Sequence, residues 1–350
     1  MHGGNIYGKE KTIQDYSSNI NPLGVPISFQ KALLENINDF TKYPDIQYRN
    51  LKRNISNYLE INSNFIFVGN GAVDVLYKTV QNLNLKKAVI AVPTFLEYKR
   101  AMNVFQVEAK EIEAYDFEKF CFDLNKLEPI EENCIYVICN PNNPTGSILK
   151  KEKILQFSEK IKQKNSFLIV DEAFMDFVEQ KENYSIIKEL QNHENILVIG
   201  AATKFFGMPG IRLGYGITSN SSLLEKLEEN TEPWAVNTAA EIAGSVIFQD
   251  KKYMEQSKEW IKWENKFMFE TLSKINNVTI FSSCVNFFLL KTNFDSHLIQ
   301  KEMEKQGFLI RTPEGFTGLD NTFFRIAVKD RKNNIAFCNA LEKVMKEMPR

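Results

Sequence analysis

Short, unbroken apolar runs alternate with longer charged segments through the middle of this chain. Five of these runs have the length of strands: 65–68, 88–92, 134–139, 167–170 and 196–199. Because they do not alternate with polar residues, they are typical of strands covered on both faces, as in a parallel sheet flanked by helices. Residues 151–164 carry apolar side chains at helical spacing, which predicts a crossover helix. The chain is therefore predicted to have an α/β fold with a mostly parallel central sheet.

The length of the chain favours two domains, since 350 residues exceed the ~100–200 of one typical domain. From about residue 240 the pattern changes to long charged amphipathic helices and short apolar strands. We expect an extended N-terminal arm at 1–27, which is rich in Gly, Asn and Pro. A large domain at 28–239 and a smaller α+β domain at 240–350 follow.

The charges nearly cancel, with 43 basic and 44 acidic residues, so nothing indicates nucleic acid or an anionic membrane surface as a partner. No apolar stretch reaches the ~20 residues of a membrane helix. Hydrophobic residues make up 43% of the chain, which is ordinary for a globular protein with a core. We therefore expect a soluble protein with a small-molecule site.

The five cysteines are scattered and no signal peptide precedes them, so we expect free thiols and a cytoplasmic protein. Cys134 and Cys139 lie in one predicted strand, where their spacing points the two side chains to opposite faces. The histidines, His2, His193 and His297, are far apart. We expect no metal site, because neither residue type clusters with the spacing of metal ligands.

Polar or glycine-containing segments follow the predicted strands at 69–72, 93–95, 140–146, 171–174 and 201–204. In open α/β sheets, ligands bind at the carboxyl ends of the strands, so these segments are expected to converge on one site. Each also has a simpler interpretation: a turn, a helix cap at Asp171, or a surface lysine at Lys204. Lys204, however, precedes the apolar stretch FFGMPG, where a charged amine is costly unless it is used.

The motifs NPNNPTG (140–146), DEAF (171–174) and TKFFGMPGIRLGYG (203–216) resemble those of fold-type I enzymes dependent on pyridoxal 5'-phosphate, the aspartate aminotransferase superfamily. The resemblance covers essentially the whole chain. It is most similar to the pair formed by threonine-phosphate decarboxylase and histidinol-phosphate aminotransferase. It implies the fold-type I transferase fold, pyridoxal 5'-phosphate as cofactor, and a homodimer.

The resemblance also implies residue roles for the cofactor. Lys204 would hold the cofactor aldehyde covalently and transfer protons, while Asp171 would face the pyridine nitrogen and keep it protonated. The remaining implied cofactor contacts are Asn143 to the ring hydroxyl, Phe95 stacked on the ring, and Asn70, Gly71, Ala72, Thr203 and Arg212 to the phosphate. Tyr43 resembles the tyrosine that crosses the dimer interface to the neighbouring subunit's phosphate.

Substrate contacts are implied for the arm and the C-terminal part. Arg325 matches the arginine that pairs with the substrate α-carboxylate, and Arg311 matches a position that contacts the distal phosphate. Asn21, Trp234 and Asn237 are predicted to line the same pocket. Both arginines have the alternative of a surface salt bridge at a strand edge.

Two features favour decarboxylation. The chain opens with HGGN and continues DYSSNINPLG, which resembles threonine-phosphate decarboxylases, and DEAF replaces the DEAY usual in the aminotransferases. We therefore predict decarboxylation of L-threonine O-3-phosphate to aminopropanol phosphate in corrinoid (cobalamin) synthesis. The alternative is transfer of the amino group of histidinol phosphate to 2-oxoglutarate. A catalytically silent, pyridoxal-binding regulatory protein is the third hypothesis.

Overall fold

A seven-stranded sheet forms the centre of the protein. The structure, a computed structural model, describes residues 3–8 and 13–348; His2 lies outside them. The strands in chain order are β1 (Gln14–Asp15), β2 (Ile66–Gly69), β3 (Lys87–Val92), β4 (Glu108–Glu113), β5 (Tyr115–Asp116), β6 (Cys121–Phe122), β7 (Cys134–Cys139), β8 (Phe167–Asp171), β9 (Ile196–Ala201), β10 (Gly214–Ile217), β11 (Val278–Ile280), β12 (Phe287–Thr292), β13 (Phe308–Leu309) and β14 (Phe323–Ala327). The α-helices are α1 (Ile27–Glu35), α2 (Arg49–Leu59), α3 (Ala72–Leu83), α4 (Glu97–Val104), α5 (Lys151–Lys162), α6 (Ser221–Glu229), α7 (Thr238–Val246), α8 (Lys251–Leu272), α9 (Ser296–Lys305) and α10 (Arg331–Glu347).

The central sheet has the strand order β2-β10-β9-β8-β7-β3-β4. All five strands predicted from apolar runs are in it, and the predicted crossover helix is α5. The prediction of a mostly parallel sheet is confirmed, with β10 antiparallel to both of its neighbours. The apolar-run criterion did not find β4 and β10, because β4 (EAKEIE) is a charged edge strand and β10 (GYGI) contains two glycines.

The two faces of the sheet carry separate apolar layers. On β7, Tyr136 belongs to the layer that includes Phe157 of α5, with the two rings 5.6 Å apart. Its neighbour Val137 belongs to the opposite layer. Cys134 and Cys139 fall in different layers, as their spacing predicts. Each fully buried aliphatic side chain in such a layer contributes about 1.5–3 kcal/mol to stability.

The C-terminal part contains a three-stranded antiparallel sheet in the order β11-β12-β14. The N-terminal arm packs on it, since β1 pairs in parallel with β13. The ring of Tyr16 stacks on Phe337 at 4.2 Å, and the backbone oxygen of Tyr16 accepts a hydrogen bond from Ala327 N–H at 2.8 Å. The arm thereby brings residues 17–19 against β14, which carries Arg325.

Among the helices of residues 3–8 and 13–348, none combines the length and the apolar character needed to cross a membrane.

Candidate active site

A cavity opens at the carboxyl ends of the central strands, against β14 and the arm. Nine residues predicted from the sequence line it: Ala72, Phe95, Asn143, Asp171, Thr203, Lys204, Arg212, Arg311 and Arg325. They come from segments that follow β2, β3, β7, β9 and β13, from the last residue of β8 and from β14. The convergence of the strand-end segments is therefore as predicted.

Lys204 lies in this cavity shortly after the end of β9. Burial, together with the positive charges of Arg325 and Arg212, lowers the pKa of its amine to about 8. Within the described residues, no side chain or carbonyl hydrogen-bonds to Lys204 Nζ. A lysine with a lowered pKa has a larger fraction of uncharged, nucleophilic amine near neutral pH.

Asp171 is the last residue of β8 and is buried. Its carboxylate accepts hydrogen bonds from the Tyr98 hydroxyl at 2.7 Å and from Ala173 N–H at 2.9 Å. Burial raises the pKa of Asp171, while the Tyr98 hydrogen bond and the charge of Lys204 act in the opposite direction. A cationic ring nitrogen beside this carboxylate would stabilise its charged form.

In the loop NPNNPTG (140–146), the side chain of one asparagine lines the cavity. The side chains of the other two hydrogen-bond to the backbone of neighbouring segments. Asn140 exchanges hydrogen bonds with the backbone of Leu149, accepting at 2.7 Å and donating at 3.1 Å. Asn142 donates to the Pro93 carbonyl at 3.0 Å. Asn143 lines the cavity, where its oxygen accepts a hydrogen bond from Arg325. The loop is therefore anchored to its neighbours by the residues that flank its functional side chain.

The N-terminus of α3 and Arg212 form an anion-binding corner. Gly71 caps the helix at φ 91°, and a Cβ on it would lie 2.3 Å from Arg212 Nη2, so glycine permits the guanidinium to approach. Arg212 Nη2 also donates to the Asn70 carbonyl at 3.3 Å. A helix N-terminus with a guanidinium beside it favours a phosphate.

The predicted backbone donors in this corner need a correction. Asn70 N–H donates to the Asp74 carboxylate at 2.9 Å, and Gly71 N–H donates to the Gly69 carbonyl at 2.8 Å, so both amides are already engaged. Ala72 and Val73 line the cavity in the first turn of α3, where a helix provides no acceptor for the N–H groups. The amides of Ala72 and Val73 are therefore the donors available to an anion.

Arg325 and Arg311 lie side by side because their backbones form an antiparallel bridge. Arg325 donates to Asn143 and, at 2.6 Å, to the Ser17 carbonyl, while its Nε has no partner among the described residues. Burial, together with the positive charge of Arg311, lowers the pKa of Arg325 to about 9. Both guanidinium groups face the ring of Phe316, at 5.9 Å for Arg325 and 5.0 Å for Arg311. Two adjacent buried cations favour a ligand with two negative groups.

Besides Asn70 and Gly71, four predicted site residues do not line this cavity: Asn21, Asn237, Trp234 and Tyr43. Asn21 is buried next to the backbone of Lys204, whose carbonyl accepts from Asn21 N–H at 3.2 Å. Its side-chain amide donates to the Phe205 carbonyl at 2.7 Å and to the Ser257 hydroxyl at 2.8 Å. Asn237 caps α7, accepting from Ala240 N–H at 2.9 Å. These amides hold the backbone in place, and this corrects the predicted substrate contacts.

Trp234 and Tyr43 lie together on the surface, away from the cavity of their own chain. Their rings stack at 4.3 Å, and Tyr43 is 77% exposed. Trp234 does not line the cavity of its own chain, and its role as a substrate contact stays a prediction. The prediction for Tyr43 concerns a neighbouring subunit, and it stays a prediction.

Sequence reasoning missed several residues that line the cavity: Gly3, Ser17, Ser18, Asn19, Val73, Leu96, Tyr98 and Phe316. Tyr98 is the most consequential, because its hydroxyl donates to Asp171. It follows Phe95 by three residues in the segment after β3, and that spacing was an available signal.

Comparison with known proteins agrees with this geometry. The family model of aminotransferase class I and II matches residues 11–341. A putative threonine-phosphate decarboxylase of Caldanaerobacter subterraneus subsp. tengcongensis is 40% identical over 348 residues, covering 99% of this chain and 94% of that protein. The threonine-phosphate decarboxylase of Salmonella typhimurium is 30% identical over 354 residues, covering 98% and 96%. The crystal structure of histidinol-phosphate aminotransferase from Clostridium acetobutylicum aligns with a TM-score of 0.88 at 36% identity, covering 95% of this chain and 99% of that chain.

The chain therefore belongs to the class I and II aminotransferase family. The predicted fold-type I architecture is confirmed, and members of this family are enzymes that depend on pyridoxal 5'-phosphate.

The residues of the cavity fit that cofactor. Lys204 offers an amine that has no hydrogen-bond partner among the described residues, which suits an aldehyde. The corner formed by Gly71, the first turn of α3 and Arg212 suits a phosphate, because the missing Cβ of Gly71 leaves room for the guanidinium. Asp171 offers a carboxylate to a pyridine nitrogen. The cavity thus has a group suited to the aldehyde, to the phosphate and to the ring nitrogen of pyridoxal 5'-phosphate.

Proposed function

We propose that this enzyme releases CO₂ from L-threonine O-3-phosphate to give aminopropanol phosphate, a reaction of corrinoid synthesis. The observation that carries the proposal is the pair Arg325 and Arg311, adjacent and buried in the same cavity as Lys204. Threonine phosphate has two negative groups, an α-carboxylate and a phosphate, and each arginine can bind one of them through charge-assisted hydrogen bonds. The two threonine-phosphate decarboxylases to which the chain is similar support the same reading.

The cofactor residues follow from the same geometry. Asp171, Asn143 and Phe95 would contact the pyridine ring, and Ala72, Val73, Thr203 and Arg212 would bind the cofactor phosphate. When bound, pyridoxal 5'-phosphate supplies an electron sink for the electron pair released when a bond to Cα breaks. Asp171 would hold a proton on the ring nitrogen and so maintain that sink.

The proposed roles of the chain's residues in the reaction are binding, orientation and proton transfer. Arg325 would hold the α-carboxylate until the bond between it and Cα breaks and CO₂ leaves. Arg311 would hold the phosphate, and Phe316 shields both guanidinium groups from water. Lys204, whose pKa is lowered by burial to about 8, would deliver the proton that replaces CO₂ at Cα.

The second candidate is amino transfer from histidinol phosphate to 2-oxoglutarate. The observation that favours it is the likeness to the histidinol-phosphate aminotransferase structure at 36% identity. Histidinol phosphate has a phosphate and no carboxylate, so it would leave Arg325 unpaired in the amine-donating half of the reaction.

The experiment that separates the candidates is a product assay on the cofactor-loaded enzyme. One incubation contains threonine phosphate and is assayed for CO₂; the other contains histidinol phosphate and 2-oxoglutarate and is assayed for glutamate. We expect CO₂ in the first and no glutamate in the second. Glutamate without CO₂ would replace the proposal with the aminotransferase. Bound cofactor with neither product would favour the silent, pyridoxal-binding hypothesis.

A homodimer is also proposed, with Tyr43 reaching the neighbouring active site. The support is a band of exposed apolar side chains within residues 23–46, which includes Phe40 and Ile46 and continues to Trp234. An exposed apolar band of this kind is typical of a subunit interface. Size-exclusion chromatography with light scattering tests it, and a monomer at micromolar concentration would contradict it.

Two further expectations remain proposals. The division into an arm (1–27), a large domain (28–239) and a small domain (240–350) is supported by the separate sheets, since the central sheet spans 66–217 and the antiparallel sheet spans 278–327. A cytoplasmic location is supported by the five cysteines, all of them free thiols.

A further inference from the structure

A second cavity lies on the opposite face of the central sheet from Lys204. Glu172 directly follows β8, and its N–H donates to the Ile199 carbonyl at 2.8 Å, so the extended backbone continues past Asp171. Neighbouring residues of an extended strand point to opposite faces. Accordingly Asp171 lines the first cavity and Glu172 lines the second. Among the described residues, the two cavities have no lining residue in common.

The second cavity is rich in carboxylates. Glu172 accepts from the Ser185 hydroxyl at 2.6 Å and from Ile186 N–H at 2.9 Å. Despite these hydrogen bonds, burial raises the pKa of Glu172 to about 7. Asp176 accepts from the Tyr58 hydroxyl at 2.6 Å and from Lys181 Nζ at 2.8 Å. The cavity lining contains five carboxylates and three ammonium groups, so acidic groups are in excess: Glu60, Glu172, Asp176, Glu182 and Glu189 against Lys151, Lys181 and Lys188.

Tyr215 points an unused hydroxyl into this cavity. The residue lies on β10 and is only 3% exposed. Its ring crosses Gly200, where a Cβ would lie 2.1 Å from a ring carbon, so only glycine at position 200 lets the ring pass. No described residue hydrogen-bonds to the hydroxyl, although it lines the cavity. The hydroxyl is therefore available to a ligand in the cavity.

The remaining hydrogen-bonding capacity indicates the class of ligand. Each carboxylate oxygen can accept more than one hydrogen bond, so Glu172 and Asp176 can still accept several. Lys181 already demonstrates how a cation fits, because its ammonium lies 4.8 Å from the centre of the Tyr58 ring while it pairs with Asp176. We propose that this cavity is a second binding site, for a small organic cation that carries several N–H donors. Tyr215 and Glu172 are its main contacts.

The test uses methylguanidinium chloride and the cofactor-loaded full chain. This probe has N–H donors and a positive charge but no amine that condenses with the cofactor aldehyde. Tetramethylammonium, which has the charge without the donors, and acetate, which has the opposite charge, are compared at equal ionic strength by isothermal titration calorimetry. We expect saturable binding of methylguanidinium alone, with affinity in the millimolar range. No saturable binding of methylguanidinium, or equal binding of all three ions, overturns the proposal.

Variants locate the binding. Glu172→Gln is expected to weaken methylguanidinium binding by about tenfold or more, and Tyr215→Phe by several-fold. Glu179→Gln is the matched control, since its carboxylate is 78% exposed and pairs with Lys262 at 3.5 Å, and binding is expected to be unchanged. If Glu172→Gln does not fold, Tyr215→Phe decides, because it removes only a hydroxyl without a partner. Unchanged affinity in Tyr215→Phe and in any folded Glu172 variant overturns the proposal. No substrate is present, so the result is independent of the reaction assigned above.

Discussion

The two cavities flank the end of β8 and have opposite charge. On one face, Asp171 lines a cavity together with four cationic side chains, those of Lys204, Arg212, Arg311 and Arg325. On the other face, one residue further along the chain, Glu172 lies in a cavity lined by five carboxylates and three ammonium groups. Consecutive residues of a strand point to opposite faces of the sheet, so Asp171 and Glu172 line different cavities although they are adjacent in sequence. The first cavity suits an anion and the second suits a cation. Each prediction below tests one side of this difference.

The largest effect is expected from Lys204→Ala. Removing the amine should abolish the borohydride-trappable covalent attachment of the cofactor and lower turnover by roughly 10²–10⁴-fold, the range that positioned proton-transfer groups contribute. Mass spectrometry of the reduced protein measures the attachment. Lys262→Ala, at an exposed lysine, is the control and should keep it. A trapped adduct of unchanged amount in Lys204→Ala would remove this residue from its proposed role.

The paired arginines should differ in their selectivity. Arg311→Gln should weaken binding of both phosphate-bearing substrates, since each loses a charge-assisted contact of about 1.5–3 kcal/mol, or ~10–100-fold. Arg325→Gln should chiefly damage turnover of threonine phosphate, the substrate with a carboxylate. Binding of both compounds to each variant, and kcat/KM of each variant for threonine phosphate, measure this. Equal losses for both compounds in Arg325→Gln would contradict a carboxylate-binding role.

The fold followed from the sequence wherever burial on both faces left continuous apolar runs. β7 was predicted at its observed bounds because all six of its residues are buried. β10 was missed because its glycines carry no hydrophobic signal; a Cβ on Gly214 would lie 2.3 Å from Ala72 N, so close approach to α3 determines the residue there. Tertiary contact of that kind leaves no periodic pattern in a sequence.

The candidate site was predictable where chemistry restricts the residue type. Lys204, Asp171 and Asn143 lie in motifs of narrow composition, and all three reach the cavity. Hydrogen bonds between distant segments were not predictable: the Tyr98 hydroxyl reaches Asp171 across 73 residues. The amide of Asn21 instead bonds to Phe205, and nothing local in the sequence distinguishes that from a substrate contact.

The cationic environment of Lys204 should be visible in its titration. In the cofactor-free enzyme, competitive acetylation followed by mass spectrometry should give an amine that becomes reactive as the pH rises through about 8, because burial and the neighbouring arginines disfavour the ammonium. Removing a nearby positive charge favours the ammonium, so Arg325→Gln should raise the pKa of Lys204. A midpoint that stays constant or moves down would contradict the charge coupling across this cavity.

The smallest expected effect is a difference in stability between Phe variants of two buried tyrosines, Tyr98 and Tyr215, which lie on opposite faces of the central sheet. Tyr98 and Tyr215 are both nearly inaccessible, yet the Tyr98 hydroxyl donates to Asp171 at 2.7 Å whereas the Tyr215 hydroxyl has no partner among the described residues. Tyr98→Phe leaves a buried carboxylate with one donor fewer, so it should destabilise the cofactor-free protein by about 1 kcal/mol. Tyr215→Phe removes a hydroxyl that makes no hydrogen bond to the chain, and stability should change by less than about 0.5 kcal/mol. Urea unfolding of the two variants measures the difference, and equal destabilisation would mean that the Tyr215 hydroxyl is engaged within the protein rather than available to a ligand.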